Sequence, residues 1–185
     1  MLRGRPGSAR RSVPSADVTD TAPGEIRQLP SHDQLAAWRS FLRAHATITR
    51  ALETELEIEQ DLSLAAYDVL VQLSEAPGHR LRMTELAEAV LLSRSGVTRL
   101  VDRMEGSGLV VRSRVAGDGR GVAAELTEAG YARLRTASRT HLAGVHRHFV
   151  ARLDADDLCA IERVSRLLVD RASPGRPDPR PHPAG

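Results

Sequence analysis

The chain has 185 residues, 41% of them hydrophobic, which is enough for one domain with a buried core plus tails. Twenty-six basic residues against 24 acidic ones leave a formal charge of +2, and every basic residue is an arginine; a GC-rich genome produces that bias, and the arginine fork also suits phosphate and guanine. No apolar run reaches the roughly 18 residues of a membrane span, the N-terminus has no signal-peptide centre, and the lone Cys159 can close no internal disulfide, so the expectation is a soluble, cytoplasmic protein with no membrane partner.

Residues 1–31 are rich in Arg, Ser, Pro and Gly and poor in large apolar side chains, and so read as a disordered basic arm. The first helix is expected at about 33–60, capped by Asp33, with Leu35, Trp38, Leu42, His45, Ile48, Leu52 and Leu56 at spacings of three and four. Its end, "ETELEIEQD", carries five acids and no base over 53–61 and would be repelled by a polyanion. A second helix runs from Ser63 to the Pro77-Gly78 breaker.

"MTELAEAV" reads as a short helix capped by Thr84, with Leu86, Ala87 and Val90 on its apolar face; "LLS" turns the chain and Ser93 caps the next helix. Two short helices so joined form a helix-turn-helix. In the second, Val97, Leu100, Val101 and Met104 share one face, and Ser95 and Arg99 centre the opposite one. Thr98 and Arg94 flank that polar face on one side, Arg103 on the other, and Asp102 interrupts it. Alone, this pattern is also that of any half-buried helix. After "EGSG", however, "LVVRSR" and "VAAEL" read as two strands joined by the turn "VAGDGRG", and a helix-turn-helix followed by a hairpin is a winged helix. Asp118 and Arg120 fall on the wing tip, where an arginine can enter an A·T-rich minor groove or simply be a loop charge; Asp118 can brace the loop through Arg112 or Arg114. Thr127 opens a helix carrying Leu134, Leu142, Val145, Phe149 and Leu153, Asp154 caps the last helix, and the proline-rich residues 173–185 read as a disordered tail.

The stretch "LRMTELAEAVLLSRSGVTRLVDRMEGSGLVVRSRVAGDGRGVAAELTEAG" resembles the winged helix of the MarR family of bacterial transcription regulators, in its serine-rich helix start, its "VTRLVDRME" body, the Asp118-x-Arg120 wing and the "LTEAG" helix opening. The wing departs from the family in flanking Arg120 with Gly119 and Gly121, where a bulkier or second basic residue is common. The resemblance implies a homodimeric regulator, commonly a repressor, on a pseudo-palindromic operator, often released by a small aromatic or phenolic ligand. The expected fold is mostly α with a small β-hairpin wing: a MarR-type domain over 32–172, comprising a winged helix-turn-helix at about 63–126 and dimerisation helices at about 33–60 and 127–172.

On that reading Ser95, Thr98 and Arg99 touch bases in the major groove of double-stranded DNA, beside the capping Ser93. Arg94, Arg103, Arg82, Arg112 and Arg114 hold phosphates, and Arg120, braced by Asp118, reaches the minor groove. Arg112 and Arg114 serve equally well as structural partners of Asp118 or Asp102. Eight arginines against five acids over 80–120 give +3, the reverse of the acidic 53–61 run. The family's ligand pocket would draw on Trp38, Phe41, His45 and Tyr67, which are also ordinary core residues. His141, His146 and His148 read as surface residues and not a metal set, and Cys159 as a small buried hydrophobe. No phosphate loop, nucleophile elbow or paired carboxylates point to an enzyme or a cofactor. The alternative is a constitutive DNA-binding protein without a ligand.

Overall fold

A computed structural model of the chain describes residues 29–115 and 121–172. The arm, the tail and the wing-tip residues Asp118 and Arg120 lie outside the described residues. The chain divides into two units, 1–38 and 39–185, and of the first only the start of one helix is described.

That helix, α1, spans His32–Gln60. Its cap is Ser31 and not Asp33: Gln34 N–H donates to Ser31 Oγ (3.2 Å) and Ser31 N–H to Gln34 Oε1 (2.8 Å), a reciprocal box that Asp33 cannot form. Asp33 instead sits in the first turn, where the helix dipole favours an acid. Helix α2, Leu64–Glu75, starts at Ser63, whose Oγ accepts from Ala66 N–H, and stops ahead of Pro77. Helix α3 spans Met83–Ala89 and α4 Arg94–Gly106. The cap position of α3 is Arg82 and not Thr84, because the Glu85 carboxylate folds back onto Arg82 N–H (3.0 Å); Thr84 lies inside the first turn.

The hairpin strands are β2, Val110–Arg114, and β3, Val122–Leu126. A third strand, β1, at Arg80–Arg82, pairs antiparallel with β3 in register Leu81 to Ala124 and gives the sheet order β1-β3-β2. Three residues reading Arg-Leu-Arg carry no usable period, which is why the sequence shows only a hairpin. The core beneath the sheet is built from Leu56, Val69, Leu70, Leu73, Leu86, Val97, Val101 and Val110, with Leu134 and Ala137 closing it from α5, Glu128–His148.

Helix α5 packs through small residues. Its buried face is Gly130, Leu134, Ala137, Thr140 and Gly144, whereas Leu142 is exposed and the helix ends where Phe149 leaves helical dihedrals, so the expected stripe through Leu153 does not form. A Cβ on Gly144 would lie 2.6 Å from Glu55 Oε2 and 2.8 Å from Leu52 Cδ2, so close approach of α1, and not bulk, selects the buried face. The acidic end of α1 is spent on this docking. Glu53 Oε2 accepts from Leu64 N–H at the start of α2 (2.9 Å), Glu55 pairs with Arg147 and with His148 Nε2 (2.7 Å), and Thr140 Oγ1 donates to Glu59 (2.9 Å). Arg133 reaches the Gln60 and Asp61 carbonyls.

After a tight turn at Val150–Arg152, α6 spans Ala155–Ala172, capped by Asp154, whose Oδ1 accepts from Asp157 N–H (2.8 Å). Most of α6 is exposed, Cys159 included, so the expectation that Cys159 is buried is corrected. None of the described helices is long and apolar enough to cross a membrane.

Two of the three histidines expected on the surface are not there. His148 is half-buried on Glu55, and His141 stacks on Tyr67 with ring centroids 4.5 Å apart, its Nδ1 buried without a hydrogen-bond partner among the described residues. Burial pushes the His141 imidazole pKa down, and the hydrogen bond from His148, opposed by burial and assisted by Arg147, holds the Glu55 carboxyl below its usual range. Both shifts mean that the unfolded chain binds the proton more readily. Stability is therefore full above the ordinary histidine value of about 6.5, falls as His141 protonates below it, and falls again below the ordinary glutamate value of about 4.3. Urea midpoints measured from pH 8 to pH 4 should show both limbs, and His141→Phe should abolish the upper one; an unchanged upper limb contradicts the assignment.

Candidate nucleic-acid interface

The two faces of α4 follow from its sequence. At 100° per residue Val97, Leu100, Val101 and Met104 fall together and are buried, which leaves Arg94, Ser95, Thr98, Arg99, Asp102 and Arg103 exposed on the remaining surface. Ser93 fixes the start: its Oγ accepts from Gly96 N–H (3.1 Å) and lies 3.3 Å from Ser95 Oγ. Thr98 Oγ1 donates to the Arg94 carbonyl (2.8 Å), so the outward-facing chemistry left to Thr98 is an acceptor oxygen and a methyl group. Ser95, Arg94, Arg99 and Arg103 thus share one exposed surface, as the sequence suggests.

The wing is locked to this helix by one arginine. Arg112 on β2 is only 23% exposed, and its Nη1 lies 2.6 Å from Asp102 Oδ1 and 2.8 Å from Glu105 Oε2. Its Nη2 donates to the Thr98 carbonyl (3.1 Å) and its backbone N–H to Glu105 Oε1 (2.9 Å). The expectation that Arg112 grips a phosphate gives way to the bracing alternative, since its donors are turned inward onto α4, and the interrupting Asp102 acquires a partner. Sequence reasoning missed Glu105; its signal is its place three residues after Asp102, on the side of the helix that the strand crosses. Arg80 was missed as well. It reaches from β1 to the Arg114 carbonyl on β2 (2.7 Å), holding the two outer strands of the sheet together.

Arg82 and Arg114 are exposed at the ends of β1 and β2, on the elements that flank α4. Of the residues expected to line a ligand pocket, Phe41 and His45 lie one turn apart on α1 with ring centroids 6.5 Å apart. Tyr67 is buried against His141, with its hydroxyl 3.4 Å from Ser138 Oγ, whereas Trp38 and Phe41 are 55% and 54% exposed and His45 is exposed. Within the chain the apolar stripe of α1 is buried only at Leu52 and Leu56, beyond Trp38, Phe41 and His45. A cleft of about 630 Å³ opens elsewhere, between the start of α2, the end of α4 and α5; Leu62, Leu100, Met104 and Leu109 line it, with Arg103 and Arg133 at its polar positions.

A profile described as MarR family matches residues 60–121, the stretch from the end of α1 through the first strand of the wing. The chain is 33% identical to AbsC, a MarR family transcriptional regulator from Streptomyces coelicolor, covering 78% of this chain and 97% of that one with a TM-score of 0.72. It is 30% identical to Sco3205, a MarR family regulator from Streptomyces coelicolor solved in complex with DNA, with 80% and 96% coverage and a TM-score of 0.74. Over 73 residues it is 37% identical to the HTH-type transcriptional repressor YetL of Bacillus subtilis (strain 168), a match spanning 40% of this chain and 44% of that repressor's length. With the winged helix-turn-helix and its flanking helices in place, and these likenesses running along nearly the whole of two regulators, the chain belongs to the MarR family of transcriptional regulators.

Proposed function

We propose that this chain is a sequence-specific DNA-binding regulator and not an enzyme, acting as a homodimer that lays α4 of each copy in successive major grooves. The observation that carries the reading is the exposed face of α4, polar and arginine-rich, set opposite a fully buried apolar face and braced against the wing. Ser95, Thr98 and Arg99 are assigned to base edges, Arg94, Arg103, Arg82 and Arg114 to phosphates, Arg120 with Asp118 to the minor groove beside the wing, and Ser93 and Arg112 to holding the helix in place. The likeness to a regulator solved in complex with DNA supports DNA as the partner. Dimerisation is supported by apolar side chains left exposed within one chain: Phe41 and Leu42 on α1, Leu142 on α5, and Ile161, Val164 and Leu168 on α6. Repression is the sense favoured by the likeness to a repressor.

The test uses the full chain and a duplex it selects from a randomised library. Binding should weaken steeply with salt. Arg103→Ala should weaken every sequence alike and reduce the salt slope by about one, whereas Arg99→Ala should cost about 1–3 kcal/mol on the selected duplex and little on a scrambled one. Equal losses on both duplexes for both variants, or a chain that sediments as a 20.1 kDa monomer on its operator, contradict the reading.

Release by a small aromatic acid or phenol is the finer part of the proposal. The cleft lined by Leu100, Met104, Arg103 and Arg133 supports it, since a carboxylate seated there would engage an arginine of α4 itself. A thermal-shift screen with aromatic acids, phenols and urate tests it: a bound ligand raises the melting temperature, and no shift from any of them favours a constitutive regulator.

A further inference from the structure

The turn that leads into α4 contains a residue whose type the fold does not require. Helix α3 ends in a Schellman arrangement: Leu91 N–H reaches back to the Glu88 carbonyl (3.4 Å) and Leu92 N–H to the Ala87 carbonyl (3.1 Å), with Leu91 at φ 55°. That left-handed position favours glycine, or asparagine as second choice, because a Cβ crowds the backbone there. Among the described residues three non-glycines have positive φ, and Asp61 and His79 are of types that tolerate it; the γ-branched Leu91 is the outlier. Nothing in the described chain repays that conformation, since the Leu91 side chain is 90% exposed. A glycine would fold this turn at least as well.

The leucine therefore answers to something outside the chain. It stands two residues before Ser93, whose cap starts the helix carrying Arg94, Ser95 and Arg99, and like them it is exposed, at the N-terminal end of α4. The partner on a base edge with which an apolar side chain gains free energy is the 5-methyl group of thymine. We propose that Leu91 is a specificity-determining residue that packs on a thymine methyl at the edge of the site read by α4. The inference rests on the DNA-binding reading above. Strain kept at an exposed position beside the recognition surface fits the general tendency of such strain to collect at functional sites.

The experiment uses the full chain and the duplex it selects from a randomised library. Each thymine is replaced in turn by deoxyuridine, which pairs identically but lacks the methyl group. At one thymine per half-site the wild type should bind about four-fold more weakly, the effect of one apolar methyl-sized contact. Leu91→Gly, which removes the contact from both half-sites, should bind the thymine duplex about sixteen-fold more weakly than wild type, with no further loss from deoxyuridine at either position, while melting no lower than wild type. Leu91→Asn, which also suits the left-handed turn, should behave as Leu91→Gly does. If both variants bind the thymine duplex as tightly as wild type, or if the deoxyuridine and Leu91 losses simply add, the proposal is overturned and DNA binding stands. A wild-type chain that selects no duplex overturns the DNA-binding reading, and this inference with it.

Discussion

Replacing Gly130 by alanine should destabilise the protein by about 3 kcal/mol or more, the upper range for forcing atoms into a packed site. The cause lies in how α5 starts. Thr127 Oγ1 accepts from Gly130 N–H (2.9 Å) and donates between the carbonyls of Gly108 and Leu109 (2.7 and 3.0 Å), while Thr127 N–H also donates to the Leu109 carbonyl (3.2 Å). This draws the first turn of α5 down onto the chain that leaves α4 for the wing. A Cβ on Gly130 would overlap the Leu109 carbonyl oxygen and lie 2.8 Å from Leu126 Cδ1. The first obstacle is backbone and cannot swing aside, so α5 would have to lift off, breaking the Thr127 bonds. Urea denaturation checks the magnitude; a midpoint within error of wild type would show that α5 sits differently. Gly106, where an added Cβ meets nothing, is the control: Gly106→Ala should be neutral or mildly stabilising, since alanine is the better helix former.

Loss of the Arg112 side chain is the second large effect expected. Arg112→Ala leaves Asp102 and Glu105 adjacent without their cation and the Thr98 carbonyl without its second, side-chain donor. Glu105 is 37% exposed and Asp102 57%, so water screens part of the loss, and a cost of about 2 kcal/mol is expected rather than the larger figure for a fully buried pair. Arg112→Lys should rescue little, because a single ammonium cannot serve two carboxylates and a carbonyl in a fixed fork. A double-mutant cycle with Glu105→Gln measures the coupling, and strict additivity would show that the two groups do not interact. The same variant should weaken DNA binding, as the wing loses its fixed angle to α4, yet leave the salt slope unchanged; a reduced slope would return Arg112 to the phosphate contacts.

What could be read from the sequence and what could not divides along a physical line. Ser93, Ser63, Thr127 and Asp154 are caps because a hydroxyl or carboxylate three residues ahead of an unpaired N–H satisfies it locally, whatever the rest of the chain does. The buried face of α4 follows with equal directness from the spacing of four apolar residues. Where two local rules competed, at Ser31 against Asp33 and at Arg82 against Thr84, the reciprocal bond from the third residue on decided, and the nearest capping-type side chain was not a sufficient guide. The exposed face of α4 was likewise legible, because a helix in contact on one side must show its other side to solvent.

The tertiary structure alone decided everything that depends on a partner far away in the chain. Glu55 finds His148 across 93 residues and Thr140 finds Glu59 across 81, so a run of acids that sequence could read only as repulsive charge becomes the seam joining α1 to α5. Glycines at 130 and 144 set distances between elements that no periodicity encodes, and the three residues of β1 become a strand only because β3 offers them a ladder. Arg112 passed from expected phosphate contact to internal clamp for the same reason. Its charge is a property of the residue, but the direction of its donors depends on which carboxylates the fold brings within 3 Å. The sequence by itself determined the helices, most of their caps and the exposed arginine face of α4, which are written in neighbours a turn apart; the fold determined which arginines it turns inward, Arg112 above all.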